Sequence, residues 1–339
     1  MHPNPYGYGR VIRDEKGFVT KIVEEKDATP GEKNIKEINS GIYLVNSSFL
    51  WQGLSEIEAN NVQGEYYLTD LLEVARKYKE KIVAWQTEDY EEVMGINTRE
   101  DFALALKVIR NRINHSHMLN GVTLIDPDTT YIDYRVVIGQ DTTVYPNVFF
   151  LGRTIIGKGC LVESGAKITD SVIGDNAVIR SHSVITESSI GHNVSIGPFA
   201  HIRPQSKIYD QVKVGNFVEI KKTTIHKGAK AAHLTYLGDS IIGEDTNVGA
   251  GTITCNYDGY SKHPTIIGDS VFIGSNTEII APVKIGKGAW VAAGTTVTKD
   301  VPENALAVSR VHQKNIRNWV IKQKKLIAKQ KSEKQKKKS

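Results

Sequence analysis

Aliphatic residues recur at every sixth position over two long stretches. These are Ile190, Ile196, Ile202, Ile208, Val214 and Ile220, then Ile267, Ile273, Ile279, Ile285, Val291 and Val297. Successive residues of a helix turn by about 100°, so positions six apart would scatter around it, whereas six is even and keeps one face of a strand. The repeat is therefore β. Many aliphatics precede a glycine, as in Ile138-Gly139, Ile156-Gly157, Ile173-Gly174, Ile190-Gly191 and Ile285-Gly286, with spacings that cluster at 6, 12 and 17 to 19. Three hexads per coil predict a triangular solenoid with one short strand per side, aliphatics inside and small residues at tight corners.

One gap interrupts the series. Val214-Gly215 and Ile242-Gly243 stand 28 residues apart, ten more than one coil, and between them lie Lys221, Lys222, His226, Lys227, Lys230, His233 and Tyr236. The spacing predicts an insertion, and a segment this rich in titratable groups on a rigid solenoid is where chemistry is expected.

The first third of the chain has a different texture. Apolar runs at Gly9–Arg13, Phe18–Glu24 and Gly41–Val45 read as strands, Thr69–Tyr78 and Arg99–His115 as amphipathic helices, with Asn97-Thr98 capping the second. The segment opens on a loop-like stretch, so it reads as the later part of a domain whose beginning is absent. The expected organisation is an α/β remnant over 1–98, a linker helix over 99–120, the solenoid over 121–312, and a basic helix or tail over 313–339.

Composition narrows the function classes. A chain of 339 residues with 40% hydrophobic and 24% charged residues fits two globular domains, not an intrinsically disordered chain. The start, Met1-His2-Pro3-Asn4-Pro5, has no signal-peptide character and no apolar run reaches the roughly 18 residues of a membrane span, which predicts a cytoplasmic protein without stable membrane insertion. Cys160 and Cys255 have no metal-ligand spacing, and His182, His192, His201, His226 and His233 are too dispersed for a zinc site. The net charge of +5 is misleading: Lys322 to Lys338 holds nine lysines against Glu333, which leaves the rest of the chain at −3. That distribution predicts no nucleic-acid partner and a solvated tail, with weak polyanion or membrane contact as the alternative.

Four stretches carry a resemblance. They are Gly197-Pro198-Phe199-Ala200-His201-Ile202-Arg203-Pro204, Val214-Gly215-Asn216-Phe217-Val218-Glu219-Ile220-Lys221-Lys222, His233-Leu234-Thr235-Tyr236-Leu237-Gly238-Asp239, and the run from Asn247-Val248-Gly249-Ala250 to Asn256-Tyr257-Asp258-Gly259. Together they resemble the bacterial family of bifunctional UDP-N-acetylglucosamine pyrophosphorylase and glucosamine-1-phosphate N-acetyltransferase. The likeness continues through Ala292–Val297 and Asn304–Arg310, and covers nearly the whole chain except the lysine tail. It implies a left-handed winding, which the spacing alone does not show, since ordinary parallel crossovers are right-handed.

The resemblance also implies roles. Arg203 and Lys221 would hold a sugar phosphate, the first as a fork of donors and the second as a point charge. Tyr236 and Asn247 would orient the sugar, and His233 would be the general base, because acetyl transfer from a thioester needs an uncharged amine. Ala250, Asn256, Tyr257, Ser275, Ala293 and Arg310 match positions that bind acetyl-CoA in the family, whose sites lie between subunits of a homotrimer. Gly9, Glu24, Asn39 and Asn97 match contacts to UDP-N-acetylglucosamine, and Asn97 would also be a magnesium ligand. Nothing like the family's Gly-x-Gly-Thr-Arg nucleotide loop occurs here, so the acetyltransferase activity is expected and the Mg2+-dependent uridyltransferase is not. Two other readings are a chain still bifunctional as part of a longer product, and a non-catalytic sugar-nucleotide-binding scaffold.

Overall fold

The computed structural model describes residues 3–336. Met1, His2 and residues 337–339 lie outside the described residues, and with them the outer ends of the predicted segments 1–98 and 313–339. The chain divides after Arg110 into two compact units.

In the first unit, strands β1 (Arg10–Arg13) and β2 (Val19–Val23) form an antiparallel hairpin. Helices α1 (Ser47–Leu54) and α2 (Leu71–Lys77) follow, the latter entered through a 3-10 turn at Leu68–Asp70. Asn46 caps α1, its side chain accepting from the N–H groups of Ser48 and Phe49. Gly41–Val45 is not a strand, against the expectation from its apolar pattern. A strand needs a ladder partner, and only the isolated bridge Arg10–Ile38 reaches the hairpin nearby. Helix α3 (Arg99–Leu119) starts at Thr98, where the Thr98 hydroxyl accepts from Asp101 N–H at 3.1 Å and the Asp101 carboxylate accepts from Thr98 N–H at 2.8 Å.

The second unit is a left-handed parallel β-helix of three sheets, with 11, 10 and 9 strands, running from Thr123–Leu124 to Leu306–Ala307. Every third strand in sequence pairs with its counterpart one coil on, so Ile190 lies on Ile173 and Ile208, and Ile196 on Ile179 and Val214. The sheets that contain Ile196, Ile202 and Ile190 are called faces 1, 2 and 3 below. All twelve aliphatics of the two hexad series point inward and none is more than 4% exposed. The buried amide nitrogen of Asn114, in the last part of α3, donates to the carbonyls of Pro127 and Thr130 at 2.7 and 3.0 Å, which ties the helix end to the first coil, while the buried Oδ1 of the same side chain is left without a hydrogen-bond partner.

The expected insertion between Val214 and Ile242 does not exist. Val214 pairs with Ala231, Ile220 with Leu237 and Ile225 with Ile242, an uninterrupted coil of 17 residues. The inward aliphatics continue there, but lysine, histidine or alanine follows most of them in place of glycine, and the two-residue signature lapses. The true excursion is Asn256–Pro264, between the strands Ile253–Cys255 and Thr265–Ile267. Helix α4 (Trp319–Lys336) closes the described chain.

Candidate active site

On face 1, the strand Lys213–Asn216 lies under the strand Lys230–His233, which sets Asn216 directly beneath His233. The exposed imidazole takes Asn216 as its partner, with Nδ1 2.7 Å from Oδ1. An amide oxygen only accepts, so Nδ1 is the donor in this arrangement, and in the neutral ring the lone pair is on Nε2. The contact orients the exposed ring and assigns the basic position of its neutral form to Nε2, which is the arrangement a general base uses.

The same corner continues upward in small residues. Backbone N–H groups of Gly251, Asn276 and Gly294 donate to the carbonyls of Leu234, Ala250 and Ser275, so His233, Ala250, Ser275 and Ala293 stand one above another. The neighbouring column, all at positive φ, changes character at the same level. Below it holds Phe199 and Phe217, with rings stacked at 5.3 Å, then Leu234; above it holds Gly251, Asn276 and Gly294. No side chain larger than asparagine stands on either column above His233. A flexible thioester arm could lie along this corner with its acyl end at the imidazole. Arg310 sits at the top, its guanidinium donating to the Ala293 carbonyl.

Face 2 carries the cations. Glu219 and Lys221 project outward from the strand Glu219–Lys221 because Ile220 between them points into the core. Arg203 stands one coil below Lys221, its backbone N–H on the Ile220 carbonyl and its Nη1 2.7 Å from Glu219 Oε1. Lys262, from the excursion, lies alongside Lys221 and holds that ammonium below the usual lysine range, with desolvation and Arg203 adding to the effect. Three cationic side chains are thus crowded together here, with Glu219 paired to Arg203, an arrangement chemically suited to an anion.

The excursion that brings Lys262 is tied to itself. Tyr257 bridges Lys262 through the backbone, Asp258 accepts from the N–H groups of Tyr260 and Ser261 at 2.8 and 2.7 Å, and His263 Nε2 lies 2.6 Å from Asp258 Oδ2. These bonds hold the Asp258 carboxyl far below the usual carboxylate range. Tyr236 projects from face 2 one coil above Glu219. Its phenol folds over Gly238: a Cβ there would lie 2.4 Å from Tyr236 Oη and 2.7 Å from Asn256 Nδ2. The buried Asn256 amide in turn donates to Asp239 Oδ2 at 2.6 Å. Asn247 stands on face 1, one coil above Lys230 and three residues before Ala250. Tyr257 is exposed on the excursion, its hydroxyl on the Gly259 carbonyl at 2.6 Å.

Sequence reasoning overlooked three residues here, Asn216, Glu219 and Lys262. The first two lie inside the motif Val214–Lys222, between residues already singled out, and their pairing across one coil was the available signal. Lys262 gave none, because only the fold of the excursion brings it to Lys221.

In the first unit the matched positions also converge. Asn39 N–H donates to the Gly9 carbonyl at 2.8 Å, and a Cβ on Gly9 would lie 3.2 Å from Glu24 Oε1. Burial pushes the Glu24 carboxyl up, and the nearby Asp27 and Asp70 carboxylates push the same way. Tyr8 reaches from beside Gly9 to Gly95, accepting its N–H at 3.0 Å, and the Asn97 amide lies next to Gly95. A cavity of about 500 Å³ in this unit is lined by Asn39, Ile42, Leu44, Phe49, Val83 and Trp85 among others. A magnesium ion does not fit Asn97 as it stands. The ion prefers carboxylate oxygens, whereas Asn97 offers one neutral amide oxygen, its neighbour Asp101 is committed to the cap of α3, and no group of three metal-ligating side chains occurs among the described residues.

The comparisons agree with this architecture. Residues 125–206 match the family model of the GMPPB C-terminal domain, and residues 264–299 that of the hexapeptide repeat of succinyl-transferase. The bifunctional protein GlmU of Pelobacter propionicus is 51% identical over 322 residues, 95% of this chain and 70% of that protein. The GlmU proteins of Geotalea daltonii and of a Geobacillus species are 54% and 52% identical, over 95% and 94% of this chain and 70% and 69% of their own lengths. With about half of its residues shared with proteins of which it spans about 70%, the chain belongs to the family of the bifunctional GlmU proteins.

Proposed function

We propose that the β-helix is an N-acetyltransferase that moves the acetyl group of acetyl-CoA to the amine of glucosamine 1-phosphate. The observation that carries this reading is the placement of an Asn216-oriented His233 at the foot of a corner of small residues, with Arg203, Lys221 and Lys262 clustered on the adjoining face. The family and the hexapeptide repeats support an acyltransferase; the sugar phosphate is inferred from the cation cluster and from the family resemblance.

In this reading the phosphate displaces Glu219 from Arg203 and relieves the repulsion among the three cations. Tyr236 and Asn247 bind sugar hydroxyls. Ala250, Ser275 and Ala293 let the pantetheine arm approach the backbone, with Asn256 and Tyr257 beside it and Arg310 taking a CoA phosphate. The amine attacks the thioester carbonyl and passes a proton to His233 Nε2. The carbon–sulfur bond then breaks, and the departing sulfur takes the proton to leave as free CoA thiol. A single chain offers one wall along the small-residue corner, so a homotrimer in which a neighbouring copy supplies the other wall belongs to the proposal, as does a cytoplasmic setting and a role in supplying cell-envelope precursors.

The first unit is proposed to keep a sugar-nucleotide pocket at Gly9, Glu24, Asn39 and Asn97 without catalysing uridylyl transfer, because these 339 residues hold no glycine-rich triphosphate loop and no group of three metal-ligating side chains occurs among the described residues. The test is to incubate the purified protein with glucosamine 1-phosphate and acetyl-CoA and follow thiol release. Absence of free CoA at millimolar substrate from a folded protein would sink the assignment. Pyrophosphate release from UTP and N-acetylglucosamine 1-phosphate would overturn the statement about the first unit.

A further inference from the structure

Helix α4 plays no part in the site described above, yet its side chains are arranged. At about 100° per residue, Trp319, Val320, Leu326 and Ile327 fall within one sector of roughly 120° over its first three turns. All four are exposed, at 52%, 58%, 56% and 49%. Lys324 and Lys331 border this sector on one side and Lys322, Lys325 and Lys329 occupy the other flank; every one of these lysines is exposed. Ile321 is the one large apolar residue of the helix outside the sector. No acidic residue stands between Trp319 and Ser332.

We infer that α4 binds the surface of a bilayer rich in anionic lipid, lying in the interface plane with the Trp319, Val320, Leu326 and Ile327 sector turned toward the acyl chains and the flanking lysines on headgroup phosphates. Lysine stems reach upward from the borders of an apolar sector while their ammonium groups stay at headgroup level, and indole favours the same depth. Charge complementarity selects this occupant. A nucleic acid would be served by the lysines alone and has no use for a tryptophan, valine, leucine and isoleucine sector. A second copy of the helix would need the sector to continue, yet it ends at Ile327, and packing would crowd two lysine flanks. No described helix is long and apolar enough to cross a membrane, so α4 lies on the bilayer.

The test uses the full-length protein with extruded vesicles. Co-sedimentation is expected with vesicles containing phosphatidylglycerol, at least tenfold weaker with pure phosphatidylcholine, and falling as salt rises from 0.05 to 0.5 M. The variants L326E/I327E and K322Q/K324Q/K325Q should each lose about tenfold or more in vesicle partition, with unchanged elution on size exclusion. The wild-type tryptophan emission should shift to the blue on anionic vesicles and that of W319F should not. The proposal is overturned if anionic vesicles fail to sediment the protein at low salt, or if L326E/I327E binds them as tightly as wild type. It is overturned equally if duplex DNA binds in the same range and L326E/I327E leaves both ligands unaffected, because the helix then reads only polyanion charge.

Discussion

His233 Nδ1 lies 2.7 Å from Asn216 Oδ1, one coil below it on the same face, and this contact determines which ring nitrogen is available at the surface. His233→Ala should lower turnover by about 100-fold or more, the range expected for loss of a general base. Asn216→Ala should lower kcat by about tenfold with little change in either KM, because it frees the ring without touching substrate. Asn216→Asp puts a carboxylate beside the imidazole, favours its protonated form, and should move the acid limb of the pH–rate profile to higher pH. An unmoved acid limb in Asn216→Asp, measured by thiol release, would remove Asn216 from the mechanism.

Lys221 shares its surroundings with Lys262 and Arg203, and the repulsion keeps it below the usual lysine range. A lysine of lowered pKa loses its proton, and hence its hold on phosphate, at lower pH than a solvated one. The KM for glucosamine 1-phosphate should therefore begin to rise at a pH below the ordinary lysine value, while the KM for acetyl-CoA stays flat. In Lys262→Ala the onset should move to higher pH, because the largest cause of the depression is gone. Identical profiles in wild type and variant would disprove the coupling.

The column above His233 predicts a selective steric effect. Replacing Ser275 by Phe places a ring on a corner where only small residues stand, and the KM for acetyl-CoA should rise by at least about tenfold, equivalent to roughly 1.4 kcal/mol. The KM for the sugar phosphate should not follow. A parallel rise in both constants would show damage to the fold instead of a blocked arm, and circular dichroism would register it.

Asp258 organises the excursion that carries Lys262, accepting from two backbone N–H groups and from His263. Its carboxyl is held far below the usual range, so the carboxylate form is stabilising at neutral pH and the stabilisation is lost only on strong acidification. Asp258→Ala should loosen the loop and raise the KM for the sugar phosphate severalfold, leaving the thermal stability of the β-helix unchanged. Hydrogen exchange over Asn256–Pro264 should speed up in the variant; equal exchange would show that Asp258 does not order the loop.

The first unit exposes Ile42, Leu44 and Trp85 at 75%, 103% and 86%, along extended segments that lack a ladder. Exposed apolar side chains and unpaired backbone confer little local stability. Limited proteolysis followed by mass spectrometry should find the earliest cuts between residues 41 and 86, with the β-helix intact. Equal resistance of the two units would contradict this.

Local periodicity was enough for the architecture of the β-helix. The six-residue spacing of Ile190 through Ile220 fixes which side chains point inward, because strand alternation leaves no other choice, and each of those residues is buried. The same spacing misread the coil from Val214 to Ile242, since a glycine following the aliphatic marks a corner but is not required for one: Ala231 and Leu237 fill the core as Ile and Val do elsewhere. Gly41–Val45 failed for the complementary reason. An apolar run specifies a strand only when another strand is there to pair with it.

The motifs alone named most of the candidate site, from Arg203 to Arg310, because those residues sit in continuous stretches whose order carries the resemblance. How they act together was decided in three dimensions. Asn216 is 17 positions from His233, and Ser275 and Ala293 are 42 and 60 positions beyond it, yet the winding stacks all of them on one corner. Lys262 reaches Lys221 only through an excursion whose Asp258 turn folds it back. The sequence by itself determined a solenoid and a set of reactive side chains, since both follow from period and composition along the chain. The tertiary structure alone decided which nitrogen of His233 is free, which cations crowd Lys221 and where the small residues form a path, because those depend on coil-to-coil register and on loop closure, and neither is written in any local stretch of residues.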